Sequence, residues 1–251
     1  MLKLYTILPD HDAIGGARRP TSVSILLQEI GETFETIDLD RKNYVRPRDS
    51  AYRKLNPNGR VPTIDDDGFV LWEAGAILYH IASTRPAGRQ LLPDDPRERA
   101  RVMQWLIWVG TTLVPDITTG CTLLVTQKAE GFTASDLQAM VLAPGGAAYL
   151  MAGADKDKDK QAWVQAVDML HWDLHIMDEA LAGRKYFGGE RLCVADIDLG
   201  VISSITFLLG ESVKQYPNVR DWLRRLAERK SFQATPSFRN QMEIAVRDGL
   251  I

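Results

Sequence analysis

The hydrophobic rhythm of this 251-residue chain changes once, near residue 86, and that change limits what it can fold into. Ahead of it, apolar runs of strand length alternate with helical spacing; behind it, helical spacing dominates. Residues 2–8 read as a strand. Val23, Leu26, Leu27 and Ile30 then recur at i, i+3, i+4 and i+7, one face of a helix, and Gly31 is a natural stop. Residues 33–39 are strand-like again, so the first two strands are predicted to be parallel, joined by a helical crossover. Residues 52–55 form a short helical turn ended by Asn56-Pro57-Asn58-Gly59. Residues 61–64 and 69–72 flank Asp65-Asp66-Asp67-Gly68, which predicts an antiparallel hairpin. Ala74, Ile77, Leu78 and Ile81 give a second amphipathic helix.

Residues 86–96 carry Pro86, Gly88, Pro93 and Pro96, and are the candidate linker between a mixed α/β domain at 1–85 and a helical one at 97–251. Val102, Leu106, Val109 and Leu113 form a stripe on a helix that Pro115 is expected to kink or end. Residues 128–153 are weakly periodic and read as a loop with a partial helix. Residues 195–210 are apolar nearly all round, which predicts a helix buried at the centre of the second domain. Val219, Trp222, Leu223 and Leu226 mark one more amphipathic helix.

Composition removes several function classes. Lys plus Arg is 30 against 33 for Asp plus Glu, a net charge of −3 with no basic block, so neither nucleic acid nor membrane is an expected partner. Cys121 and Cys193 stand far apart and form no paired motif, which excludes a disulfide scaffold and a cysteine-rich zinc module. The longest apolar stretch is too short for a bilayer, and the first residues lack the features of a signal peptide, so a cytoplasmic location is expected. His171 and His175 are four apart on a helix, but no third ligand is evident; a core and a surface histidine are expected, and no metal.

Four motifs in register carry a family resemblance. Asn56-Pro57-Asn58-Gly59-Arg60-Val61-Pro62-Thr63-Ile64 is similar to the segment leading into the cis-proline strand of cytosolic glutathione transferases. Leu71-Trp72-Glu73-Ala74-Gly75-Ala76-Ile77 resembles that family's turn and helix at the γ-glutamyl group. Leu192-Cys193-Val194-Ala195-Asp196-Ile197 resembles its helix-capping segment, and Tyr216-Pro217-Asn218-Val219 with Trp222 the segment before a late helix. The stretches Ser22–Glu29 and Gln104–Trp108 are most similar to the bacterial Nu-class and fungal nitrogen-regulator-like branch. The resemblance implies a thioredoxin-like α/β N-terminal domain, an all-α C-terminal domain, glutathione as co-substrate, a small hydrophobic electrophile, and a homodimer.

It also implies roles for residues. A glutathione site must pair two carboxylates and an ammonium, and favour a thiolate. Glu73 can accept from the ammonium, while the N–H groups of Glu73 and Ala74 can hold the neighbouring carboxylate. Val61 can pair with the cysteinyl backbone as one more strand would, with Pro62 cis. Arg48, Lys54 or Arg60 can meet the glycyl carboxylate. Each has a plainer alternative: Glu73 as an acidic helix start, Pro62 as an edge-strand proline, Arg60 as a solvated charge. Cys193 and Asp196 read as a capping box, softened by the weakly accepting sulfur.

Two departures stand out. The family has Ser where Ala74 stands, which removes a hydroxyl. Its thiol-activating side chain falls near Ala17, Arg18 and Arg19, in a connection that is several residues longer than the family norm, and Ala17 has nothing to donate. Lowering a thiol pKa from about 8.5 to about 7 takes roughly 2 kcal/mol, within reach of one donor and a helix start. Thr21 and Ser22, aided by Arg18 and Arg19, are the candidates; as helix caps they have an equal alternative use. Trp108, Thr111, Thr112, Asp116 and Thr119 are candidates to line the electrophile pocket, with core packing the alternative for Trp108. The expected function is a glutathione transferase. The rivals are glutathione-dependent disulfide or peroxide reduction, ether cleavage, and a binding or regulatory protein of the same shape.

Overall fold

Alternate residues of Leu2–Thr6 (β1) are buried, as its apolar–polar alternation demands. The computed structural model describes residues 1–6, 19–39, 51–117, 160–204 and 212–251. Phe34–Asp38 (β2) runs parallel to β1, Leu2 opposite Phe34 and Thr6 opposite Asp38. Thr63–Asp66 (β3) is antiparallel to β1, and Phe69–Trp72 (β4) is antiparallel to β3. The sheet order is β2-β1-β3-β4, the parallel pair and the hairpin both as expected. Asp67 and Gly68 take φ of 52° and 95° in the hairpin turn, and the Asp65 carboxylate accepts the Gly68 N–H at 2.7 Å.

Arg19–Glu29 (α1) follows β1 in sequence, and Ala74–Thr84 (α2) follows β4 directly. The spacing of Val23, Leu26, Leu27 and Ile30 predicts a single apolar stripe on α1. Instead Ser22, Val23, Ile25, Leu26 and Leu27 are all buried, because α1 has neighbours on two sides: α2, and the helical domain.

The helical domain starts with Pro96–Trp108 (α3). Asp95 caps it, its carboxylate accepting the N–H groups of Arg97 and Glu98 at 2.9 Å. The expected break at Pro115 takes another form. A π-helical turn, Val109–Leu113, precedes the proline, and helical backbone continues through 117. The ring at 115 supplies no N–H, and the wider turn absorbs the mismatch ahead of it. Lys160–Leu181 (α4), Val194–Ser203 (α5), Pro217–Ala227 (α6), Lys230–Gln233 (α7) and Pro236–Arg247 (α8) follow.

All ten residues of α5 are buried, in agreement with the expected central helix, of which residues 205–210 lie outside the described residues. It packs against α1, α2 and α3. Gly200 lets α6 approach it, since a Cβ there would stand 2.4 Å from Leu226 Cδ1. An aromatic chain, Trp105 to Phe187 to Trp222, joins α3 to α6 with edge-on rings 4.6 and 5.2 Å apart. Among the described residues no helix is long and apolar enough to cross a membrane.

Candidate functional site

The register of the sheet brings the motif residues to one edge. Tyr5 pairs with Thr63, and Thr63 with Trp72, so Thr6, Pro62 and Glu73 follow at the same end of three adjacent strands. The Val61–Pro62 peptide bond is cis, as the resemblance implies. The segment before it is held by a polar cluster that sequence reasoning missed. The Tyr52 hydroxyl donates to the Arg60 carbonyl at 2.6 Å and shares a hydrogen bond of 2.7 Å with Thr63 Oγ1. Asn56 Nδ2 donates to the same two atoms, at 2.7 and 3.1 Å, and its Oδ1 accepts the Asn58 N–H at 3.0 Å. The Asn56-Pro57 pair is the signal for that local turn; nothing local points to Tyr52. With the Arg60 carbonyl held on that side, the planar trans peptide directs the Val61 N–H to the other. Among the described residues neither polar backbone group of Val61 has a partner.

Beside it, Glu73 adopts φ 74° and ψ 116°, a strained backbone for a residue with a Cβ. Such strain costs about 1–3 kcal/mol and collects at functional sites. The Glu73 side chain is exposed and does not cap α2. The first bond of α2 runs from the Ile77 N–H to the Glu73 carbonyl at 2.9 Å, so the amides of Ala74, Gly75 and Ala76 precede the helical ladder. The start of α1 lies at the same edge. Its last turn leads within a few residues to Phe34, opposite Leu2, and a helix of its length matches the strand it must return along. Two helix N-termini therefore meet at the Val61–Glu73 edge, a favourable place for negative charge. Lys54 and Arg60 are exposed there on the preceding segment. Arg18, Arg48 and Thr119 lie outside the described residues, as do the side chains of Arg19 and Thr21.

Ser22 requires a correction. Rather than standing open to a thiol, it is wholly buried, and its hydroxyl donates to Asp198 Oδ1 of α5 at 2.8 Å. The reason is the two-sided packing of α1, which turns that face toward the helical domain. The far end of α1 is tied there as well, with the Glu29 carboxylate bound by Arg229 and Ser231.

On the helical side, Trp108 stacks edge-on against Trp105 at 5.3 Å and packs on the core, which is its alternative reading. The exposed Thr111 donates its hydroxyl to the Ile107 carbonyl at 3.0 Å, within its own helix. Thr112 is half-buried. Asp116 hydrogen-bonds with Asp173 of α4, a residue sequence reasoning passed over. Burial pushes the Asp116 carboxyl up. Burial first, and then the Asp116 charge and hydrogen bond, push Asp173 up to about 7. Asp173 is 1% exposed, and its Oδ2 has no hydrogen-bond partner.

The expected capping box is present: Asp196 accepts the Cys193 N–H at 2.8 Å, and the Cys193 side chain meets the Asp196 N–H. His171 sits 2.8 Å from the Tyr216 hydroxyl, its pKa lowered by burial, while the exposed His175 faces Glu179 at 3.3 Å. A separate cavity of about 640 Å³ is lined by residues of α6 to α8, among them Phe238, Met242 and Arg239, and none of the candidate residues reaches it.

Comparison with known proteins follows the same lines. The model of the glutathione S-transferase N-terminal domain matches residues 13–83, and that of the C-terminal domain residues 143–230. The glutathione S-transferase GstB of Escherichia coli K12 is 25% identical over 209 residues, covering 82% of this chain and 87% of its own. The protein URE2 of Candida glabrata is 26% identical over 243 residues, covering 90% of this chain and 65% of its own. Among solved structures, Ure2p in complex with glutathione superposes with a TM-score of 0.68 at 20% identity, over 95% of this chain and 92% of that one. A glutathione transferase from Burkholderia graminis, with two glutathione molecules bound per subunit, gives 0.65 at 23% identity, over 96% and 87%.

Proposed function

The chain belongs to the glutathione S-transferase family, and from that premise we propose that it binds glutathione at the Val61–Glu73 edge and activates its thiol for attack on a hydrophobic electrophile. The observation that carries this reading is the convergence at one sheet edge of three features: the backbone of Val61, unpartnered among the described residues, the exposed carboxylate of Glu73, and two helix starts. Val61 pairs its N–H and C=O with the cysteinyl residue. Glu73 accepts from the γ-glutamyl ammonium, and the first amides of α2 hold the adjacent carboxylate. Arg60 or Lys54 meets the glycyl carboxylate. The first turn of α1 faces the sulfur and favours its ionised form. The thiolate then forms the bond to carbon and displaces the leaving group of the electrophile.

Calorimetry with glutathione tests the binding half. Glu73→Ala is expected to weaken binding by about ten- to a hundredfold, the loss of one hydrogen bond to a charged group. An unchanged affinity overturns the assignment. Turnover with 1-chloro-2,4-dinitrobenzene tests the transferase half, and 2-hydroxyethyl disulfide tests for a reductase. Glutathione binding without turnover is the second reading. It is favoured by Ser22, whose hydroxyl is committed to Asp198, and by the absent hydroxyl at Ala74. Assembly as a homodimer is also proposed, in keeping with Phe69 on β4 and Ile107 on α3, which are 51% and 57% exposed. Sedimentation is expected to give twice the 28.1 kDa chain mass, and a monomer at micromolar concentration sinks the assembly.

A further inference from the structure

The helix whose first turn the proposed mechanism needs is not held by its own domain alone. At its start, Ser22 Oγ donates to Asp198 Oδ1 at 2.8 Å, across 176 residues of sequence. Both side chains are wholly buried. At its end, Glu29 is held by Arg229 and Ser231. Burying a carboxylate such as Asp198 in the middle of an apolar helix is costly unless hydrogen bonds compensate, so its placement opposite Ser22 fixes one geometry among the apolar contacts around it. Apolar packing alone lets a helix slide or roll slightly; a directional hydrogen bond in its first turn does not. That first turn is the one that lies at the Val61–Glu73 edge.

We infer that Asp198 is a positioning residue, which through Ser22 sets the first turn of α1 against the glutathione sulfur and so governs how readily the thiol ionises. The inference rests on the functional reading above. It makes the central helix of the helical domain part of the thiol-activating apparatus. The α1 amides that precede the helical ladder act on the sulfur only at short range, because a helix-terminus field falls off within a turn. A small shift of the turn therefore changes thiol ionisation while leaving Val61 and Glu73, which hold the rest of the tripeptide, in place.

The test is a pH titration of the ultraviolet thiolate absorbance of the protein–glutathione complex, with calorimetry in parallel. The wild-type complex is expected to ionise below free glutathione. Ser22→Ala removes the donor. Its midpoint is expected to move up by about one pH unit, a tenfold loss of thiolate at low pH, with the dissociation constant within about twofold of wild type. Asp198→Asn keeps an acceptor oxygen and the side-chain volume, and is expected to restore a midpoint near wild type. Glu29→Gln weakens only the far tie, so it lowers the melting temperature and leaves the midpoint where it is. If Ser22→Ala lowers the melting temperature but leaves the midpoint unmoved, the bond is structural and the positioning role is overturned. A wild-type complex that ionises like free glutathione overturns the functional reading instead, and this inference with it.

Discussion

Asp196→Ala is expected to cost about 3–5 kcal/mol of folding stability, measured by urea unfolding of the purified variant. The Asp196 carboxylate is wholly buried and joins three parts of the helical domain. It accepts the Phe187 N–H at 2.8 Å, the Cys193 N–H at 2.8 Å and the Trp222 indole N–H at 2.9 Å. Burial pushes its pKa up, while those donors and the Cys193 thiol pull the other way without prevailing. The charge is thus not comfortable in itself. Its value lies in what its loss leaves behind: three buried donors with no acceptor, each costing about 1–3 kcal/mol, and an uncapped start to the central helix. Asp196→Asn keeps an oxygen for Phe187 and Trp222, but it sets an amide N–H against the Cys193 N–H, so an intermediate loss is expected. Trp222→Phe removes one donor and leaves the acid both backbone N–H donors, which makes it the mildest of the three. Unfolding midpoints in the order wild type, Trp222→Phe, Asp196→Asn, Asp196→Ala support this account. An alanine variant within about 1 kcal/mol of wild type sinks it.

The contrast between Asp196 and its neighbours shows what a sequence of this kind makes legible. The capping box is a local pattern, Cys193 and Asp196 three apart ahead of an apolar run, and it is where the spacing puts it. The hairpin, the parallel first pair and the buried central helix are legible in the same way, whereas the cis bond before Pro62 came only from the family resemblance. The third partner of Asp196 is Trp222, 26 residues on, and no spacing rule reaches it. Ser22 shows the same limit more sharply. Its position near a helix start left two uses open, cap or catalyst, and the structure gives it a third, because its partner Asp198 comes from another domain. Ile25 of α1 likewise falls off the predicted stripe, yet it is fully buried, since a stripe tells only of one neighbour. At the candidate site the family resemblance pointed to the strand end at Val61 and the helix start at Glu73, which the hairpin register brings side by side. It did not locate Tyr52, whose hydroxyl closes a loop that only the folded chain brings together.

Asp173 is the residue for which local sequence carries least and the structure most. It lies between His171 and His175 on α4 and is 1% exposed, and its carboxyl is pushed up to about 7 by burial and by Asp116. Among the described residues Asp116 is the only charged group that acts on it. His171 on the same helix is bound to the Tyr216 hydroxyl, and Asp178 to Asn218 at the start of α6. On α5, Asp196 is held by Trp222 and Asp198 by Ser22. The sign follows from proton uptake. In the unfolded chain an aspartate ionises near 3.8, so between that value and about 7 the folded protein binds the extra proton. Stability from this group is complete below about pH 4, falls as pH rises, and is gone above about pH 7. The raised carboxyl of Asp116 acts in the same direction. The shift corresponds to a loss on the order of 4 kcal/mol for the wild-type chain relative to Asp173→Asn, which cannot ionise and can still donate an N–H to Asp116. The two proteins are therefore expected to melt within a few degrees of each other near about pH 5, and the variant about 8–16 °C higher near about pH 8. Comparing the difference between them cancels every other titrating group the two share. A variant that melts lower than wild type at the higher pH, or a difference that does not grow with pH, means that the buried oxygen of Asp173 is ionised and satisfied in the folded protein, and that the pair shares no proton.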